Sequence, residues 1–200
     1  MHRFIPAPES PPRHVLLLLH GTGGNENDMI PLGRDIDPAA AILSLRGNVL
    51  ENGMPRFFRR LAEGVFDEED VIRRANELAD FIGVAATKYS FDPQSLSAVG
   101  YSNGANVAAA LLLLRPGVLT RAVLFRAMVP LTLATPPALA NTRVLICSGK
   151  QDPIVPLENV ERLAAMLRRG GADVTLRFED AGHQLAFAEI ADAKKWLHES

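Results

Sequence analysis

Short, largely apolar runs recur along this chain, most of them separated from the next by a longer segment with helical spacing. Val15-Leu-Leu-Leu-Leu19, Ala40-Ala-Ile-Leu-Ser-Leu45, Leu96-Ser-Ala-Val-Gly100, Ala122-Val-Leu-Phe125, Val144-Leu-Ile-Cys147 and Val174 to Phe178 are such runs. A strand whose residues are apolar on both sides of the pleat must be covered on both faces. Helical segments between such strands supply that cover. The alternation therefore predicts an α/β chain with a mostly parallel central sheet and helices on both faces.

The helical segments read as follows. Asn25 to Arg34 is a short helix interrupted by Pro31. Asp67-Glu-Glu-Asp70 opens a helix with acid in its first turn, where the helix dipole favours it. Val71, Leu78, Phe81, Ile82 and Ala85 continue that helix at apolar spacing. Asn103 to Leu114 is almost wholly apolar and must be buried against the sheet. Leu157 to Arg169 ends at Gly170-Gly171, and Leu185 to His198 is the last helix. Residues 1–12, with four prolines, read as an extended lead-in. Arg46 to Phe66 has no clean period and holds three glycines, one proline and four arginines, so it reads as a long loop.

The chain has 200 residues, 48% of them hydrophobic, and a net charge of −2. That length suits one domain over residues 1–200 that folds without disulfides or metal. The charge gives no footprint for nucleic acid. No run is long enough to span a membrane, and no signal segment opens the chain, so a cytoplasmic protein is the expectation. Cys147 is the single cysteine and reads as a buried strand residue. There is no H-x-x-x-H and no Cys/His cluster, so no metal site is expected.

Gly100-Tyr-Ser-Asn-Gly104 fits G-x-S-x-G between a strand and a helix. On such a turn the Ser102 hydroxyl is lifted above the sheet, and the Asn103 N–H sits at a helix N-terminus, ready for negative charge. A serine needs a base, and this motif's fold calls for an acid and then a histidine further along the chain. His2, His14 and His20 precede the serine, and His198 lies near the chain end. His183, in Asp180-Ala-Gly-His183 after the last strand, is the candidate base. Asp152 follows the strand ending at Ser148 and is the preferred acid, with Asp180 as its rival. The second oxyanion donor is expected from His20-Gly-Thr-Gly-Gly24, through the Thr22 backbone. His20 itself is read as supporting that loop. The same glycines match neither phosphate-loop spacing.

Too few residues separate Phe125 from Val144 for a large lid, so shorter loops must cover the site. Met54, Phe57, Phe58 and Phe66 of the 46–66 loop are candidate groove residues, and Met128 and Ile154 join them. Arg46, Arg56, Arg59 and Arg60 are expected to pair with neighbouring acids rather than with substrate.

On these segments the chain resembles the phospholipase/carboxylesterase family of α/β-hydrolases, which includes acyl-protein thioesterases. Its nearest likeness is to the bacterial carboxylesterase branch with the hydroquinone-associated hydrolases. The matching stretches are residues 19–28, 46–60, 100–105, 149–156 and 182–184. The resemblance implies Ser102, Asp152 and His183 as triad, Thr22 and Asn103 as oxyanion donors, and no cofactor. It implies esters of short or medium acyl chains as substrates, and often a homodimer. Arg126-Ala127 departs from the His-Pro pair found in some members of the branch. A thioesterase or lysophospholipase would use the same triad, and a non-catalytic small-molecule binder would keep only the fold.

Overall fold

The computed structural model describes residues 1–9 and 11–199. Its core is a seven-stranded sheet. In chain order the elements are β1 (His2–Ile5), β2 (Val15–Leu19), α1 (Ile30–Ile36), β3 (Ala41–Leu45), β4 (Val49–Glu51), β5 (Met54–Arg56), β6 (Arg60–Ala62) and β7 (Val65–Phe66). Then follow α2 (Glu68–Tyr89), β8 (Leu96–Tyr101), α3 (Asn103–Leu114), β9 (Arg121–Phe125), β10 (Arg143–Gly149), α4 (Leu157–Arg169), β11 (Asp173–Glu179) and α5 (Phe187–His198). The sheet order is β1-β3-β2-β8-β9-β10-β11. All neighbours run parallel except β1, which pairs antiparallel with β3 at the edge. This is the α/β-hydrolase arrangement without a large lid.

The alternation of side chains explains why the central strands carry apolar residues on both sides of the pleat. Leu17 and Leu19 of β2 face one core cluster, with α2, α3 and α4. Leu16 and Leu18 face the other, with α1 and α5. Val144 and Ile146 of β10 divide from Leu145 and Cys147 in the same way. Helix α3 lies against β2, β8 and β9, with every residue from Asn103 to Leu113 buried.

Two readings of the sequence are corrected and one is refined. The 46–66 stretch is not a loop but two antiparallel hairpins, β4–β5 and β6–β7. Asn52 and Gly53 turn the first with φ of 52° and 81°, the positive pair that a two-residue hairpin needs. Strands of two or three residues are too short to show a period. The lead-in carries an edge strand, β1, where half-buried residues at a sheet margin leave no continuous apolar run. The segment 1–12 and the domain 1–200 include Ser10 and Ser200, which lie outside the described residues. Pro31 does not interrupt a helix: it occupies the first turn of α1, where its missing N–H costs no bond.

Because β2, β8, β9, β10 and β11 are parallel, their carboxyl ends open on one edge. Residues 20–24, 102, 126, 152 and 183 all follow those ends, where open α/β sheets place their ligands.

Candidate active site

Ser102 follows β8 with φ 52° and ψ −113°, a conformation that non-glycine residues rarely adopt. The turn is possible because its flanking glycines let the backbones close in. A Cβ on Gly100 would meet the Ala105 Cα at 2.7 Å. One on Gly104 would stand 2.0 Å from the Leu19 carbonyl oxygen.

His183 Nε2 lies 3.1 Å from Ser102 Oγ, and its Nδ1 lies 2.8 Å from Asp152 Oδ2. The carboxylate of Asp152 is fully buried. Its Oδ1 accepts the N–H groups of Ile154 at 2.8 Å and Val155 at 3.1 Å. With Nδ1–H donated to Asp152, Nε2 is left as an acceptor for the serine proton. Asp180, the rival acid, instead pairs with Lys150 at 2.9 Å on the surface.

The N–H groups of Thr22 and Asn103 make no hydrogen bond among the described residues, and both residues line the cavity that holds Ser102. Their loop is built around His20. That ring donates from Nδ1 to the Gly21 carbonyl (2.6 Å) and accepts the Gly47 N–H at Nε2 (2.9 Å). Burial holds the His20 pKa below its ordinary value, against the Gly21 carbonyl that would raise it. A neutral ring is what the Gly47 bond requires. The thiol of Cys147 is buried and pushed up by desolvation.

The cavity has a volume of about 340 Å³. Phe66, Met128, Ile154 and Val155 form much of its apolar wall. Met54 and Phe57 do not line it. Met54 follows the tight Asn52-Gly53 turn, which carries it out beside Gly23 to 40% exposure. The Phe57 N–H is bonded to Asn103 Oδ1 at 2.7 Å, and its ring packs 4.8 Å from that of His20. Phe58 is likewise in the core, edge-on to Phe66.

The four arginines of residues 46–66 are paired internally: Arg46 with Glu26, Arg59 with Asp67, and Arg56 and Arg60 with Glu51. Arg56 and Arg60 nonetheless reach the cavity wall, and Arg56 donates to Thr22 Oγ1 at 2.6 Å. Arg126 also lines the cavity, with no exposure. No sequence signal marked its contacts, because they are made to residues distant along the chain. The Asn103 side chain, which ties the first hairpin to the helix start, was hidden for the same reason. Among the described residues no cluster could hold a metal ion.

The sequence pattern of the phospholipase/carboxylesterase family matches residues 1–200. MhqD of Bacillus subtilis (strain 168) is 51% identical over 187 residues, which cover 94% of each chain. The crystal structure of the Bacillus cereus carboxylesterase is 50% identical, with a TM-score of 0.94 over 98% of this chain and 92% of that one. That of a carboxylesterase from Mesorhizobium loti is 32% identical, with a TM-score of 0.92 over 98% and 93%.

Proposed function

We propose, because this chain belongs to the phospholipase/carboxylesterase family, that it hydrolyses short- to medium-chain carboxylic esters through an acyl-enzyme on Ser102. The observation that carries the reading is His183, hydrogen-bonded to Ser102 on one side and Asp152 on the other.

In this scheme Ser102 Oγ attacks the ester carbonyl as His183 Nε2 takes its proton. Charge then develops on the carbonyl oxygen, where the N–H groups of Thr22 and Asn103 receive it. Asp152 keeps the ring in the tautomer that presents Nε2 and stabilises the imidazolium. The protonated His183 gives its proton to the departing alkoxide, and the alcohol leaves. Water then attacks the acyl-enzyme by the same route, releasing the carboxylic acid and restoring Ser102. Atoms and charge balance without a cofactor.

Cavity size supports a small acyl group. About 340 Å³ lies at the low end of the range for ligand pockets, roughly 300–1,000 Å³. The apolar wall of Phe66, Met128, Ile154 and Val155 suits an alkyl chain. A series of p-nitrophenyl esters from acetate to laurate tests this, with acyl thioesters of matched length beside them. The expected optimum in kcat/KM lies at short to medium chains, about two to eight carbons, as suits a pocket at the low end of the ligand range. A preference for long chains or for thioesters moves the substrate elsewhere while keeping the mechanism. Failure of a fluorophosphonate probe to label Ser102 removes the mechanism and leaves a binding protein.

A further inference from the structure

The reaction scheme makes no use of Arg126, although its side chain is completely buried. It follows β9 with φ 59°, a strained setting for a non-glycine residue. Its backbone N–H extends the sheet ladder to the Cys147 carbonyl at 2.9 Å. From there the guanidinium reaches into the histidine loop. Nε donates to the Gly182 carbonyl at 3.0 Å, and Nη2 donates to the Gln184 carbonyl at 2.6 Å. Nη1 and Nη2 both bond the carboxylate of Glu189 in α5, the latter at 2.8 Å. Nε also stands 3.9 Å from Asp152 Oδ2.

Those contacts enclose His183. The carbonyls on either side of it are held by Arg126, and its own carbonyl accepts the Tyr101 hydroxyl at 3.0 Å. Glu189 accepts the Ala186 N–H at 2.8 Å, so the partner of Arg126 ties the far end of the same loop. A buried ion pair is a poor source of stability, since desolvation offsets most of the attraction. What a planar guanidinium does well is set several acceptors at fixed angles.

We infer that Arg126, clamped by Glu189, is a positioning residue for the hydrolysis proposed above: it fixes backbone 182–184 so that His183 Nε2 stays within reach of Ser102 Oγ. Its charge also completes the shell around the buried Asp152 carboxylate. This rests on the esterase reading, and the test separates the two.

The test measures kcat and KM on p-nitrophenyl acetate for the full chain and two variants. The double variant Arg126→Met/Glu189→Leu removes both charges of the pair together and leaves Asp152 its bonds to His183 and the N–H groups of Ile154 and Val155. It is expected to fold, with kcat about 10- to 100-fold lower and KM within about twofold, the signature of a displaced base. Arg126→Lys keeps a cation for Glu189 but cannot also reach both loop carbonyls, and the same split is expected. The Lys variant decides the matter if the double variant does not fold. A kcat within about twofold of the parent in either folded variant overturns the inference. The parent and Ser102→Ala run alongside. A parent without Ser102-dependent turnover sinks the esterase reading, whereas an active parent with equally active variants sinks only the clamp.

Discussion

The described residues hold two Ser–His–Asp chains of hydrogen bonds, one at each end of β8. At the carboxyl end, His183 joins Ser102 (3.1 Å) to Asp152 (2.8 Å). At the amino end, His14 joins Ser97 to Asp37, both at 2.8 Å. The aspartates are alike in detail: Asp37 Oδ1 accepts the N–H groups of Ala39 and Ala40, as Asp152 Oδ1 accepts those of Ile154 and Val155. The cavity at the amino end is even the larger, about 810 Å³ against 340 Å³.

What differs is the backbone around the serine. Ser97 lies within a central strand, paired to Leu16 on one side and Arg121 on the other, so its peptide groups belong to the ladder. Ser102 sits on a strained turn at the start of α3, with the Asn103 and Thr22 donors unengaged. A base that removes the serine proton helps little if nothing receives the negative charge that follows. The comparison teaches that the unengaged Thr22 and Asn103 N–H groups, rather than the Ser–His–Asp chain or the size of the cavity, separate the proposed catalytic site from a structural tie.

The largest expected contrast is between the two serines. Ser102→Ala should lower kcat for p-nitrophenyl acetate by about 10⁴-fold or more, whereas Ser97→Ala should leave it within about twofold. Turnover lost equally in both would erase the distinction. Next come the carboxylates. Asp152→Asn should cost about 10⁴-fold by presenting the wrong histidine tautomer, and Asp37→Asn should spare kcat while lowering Tm in thermal unfolding. The smallest effect sharpens the structural side: His14→Ala strands the buried Ser97 hydroxyl and one oxygen of Asp37. A loss of about 1–3 kcal/mol in urea unfolding, with unchanged ester turnover, is the expected result.

Much of the fold was open to reading in one dimension. The bounds of α3 and α4 agree with the sequence, since an apolar helix stopped by Pro116-Gly117 and an amphipathic one closed by Gly170-Gly171 carry their own limits. The six apolar runs all lie within strands or at their margins. The hairpins of 46–66 were missed although Asn52-Gly53, a strong turn signal, stands between β4 and β5. Met54 and Phe57 were misplaced because apolar character says that a side chain seeks cover, not which cover it finds.

From the residue order alone came the alternation of strand and helix, the strained serine turn with its two glycines, and the candidates His183 and Asp152. These are local properties, governed by spacing, backbone sterics and position after a strand. Tertiary structure alone decided that Arg126 grips the histidine loop, that Glu189 balances it, and that His14 builds a second hydrogen-bond chain far from the first. Such contacts join residues remote along the chain, and only the parallel stacking of strands sets their distances.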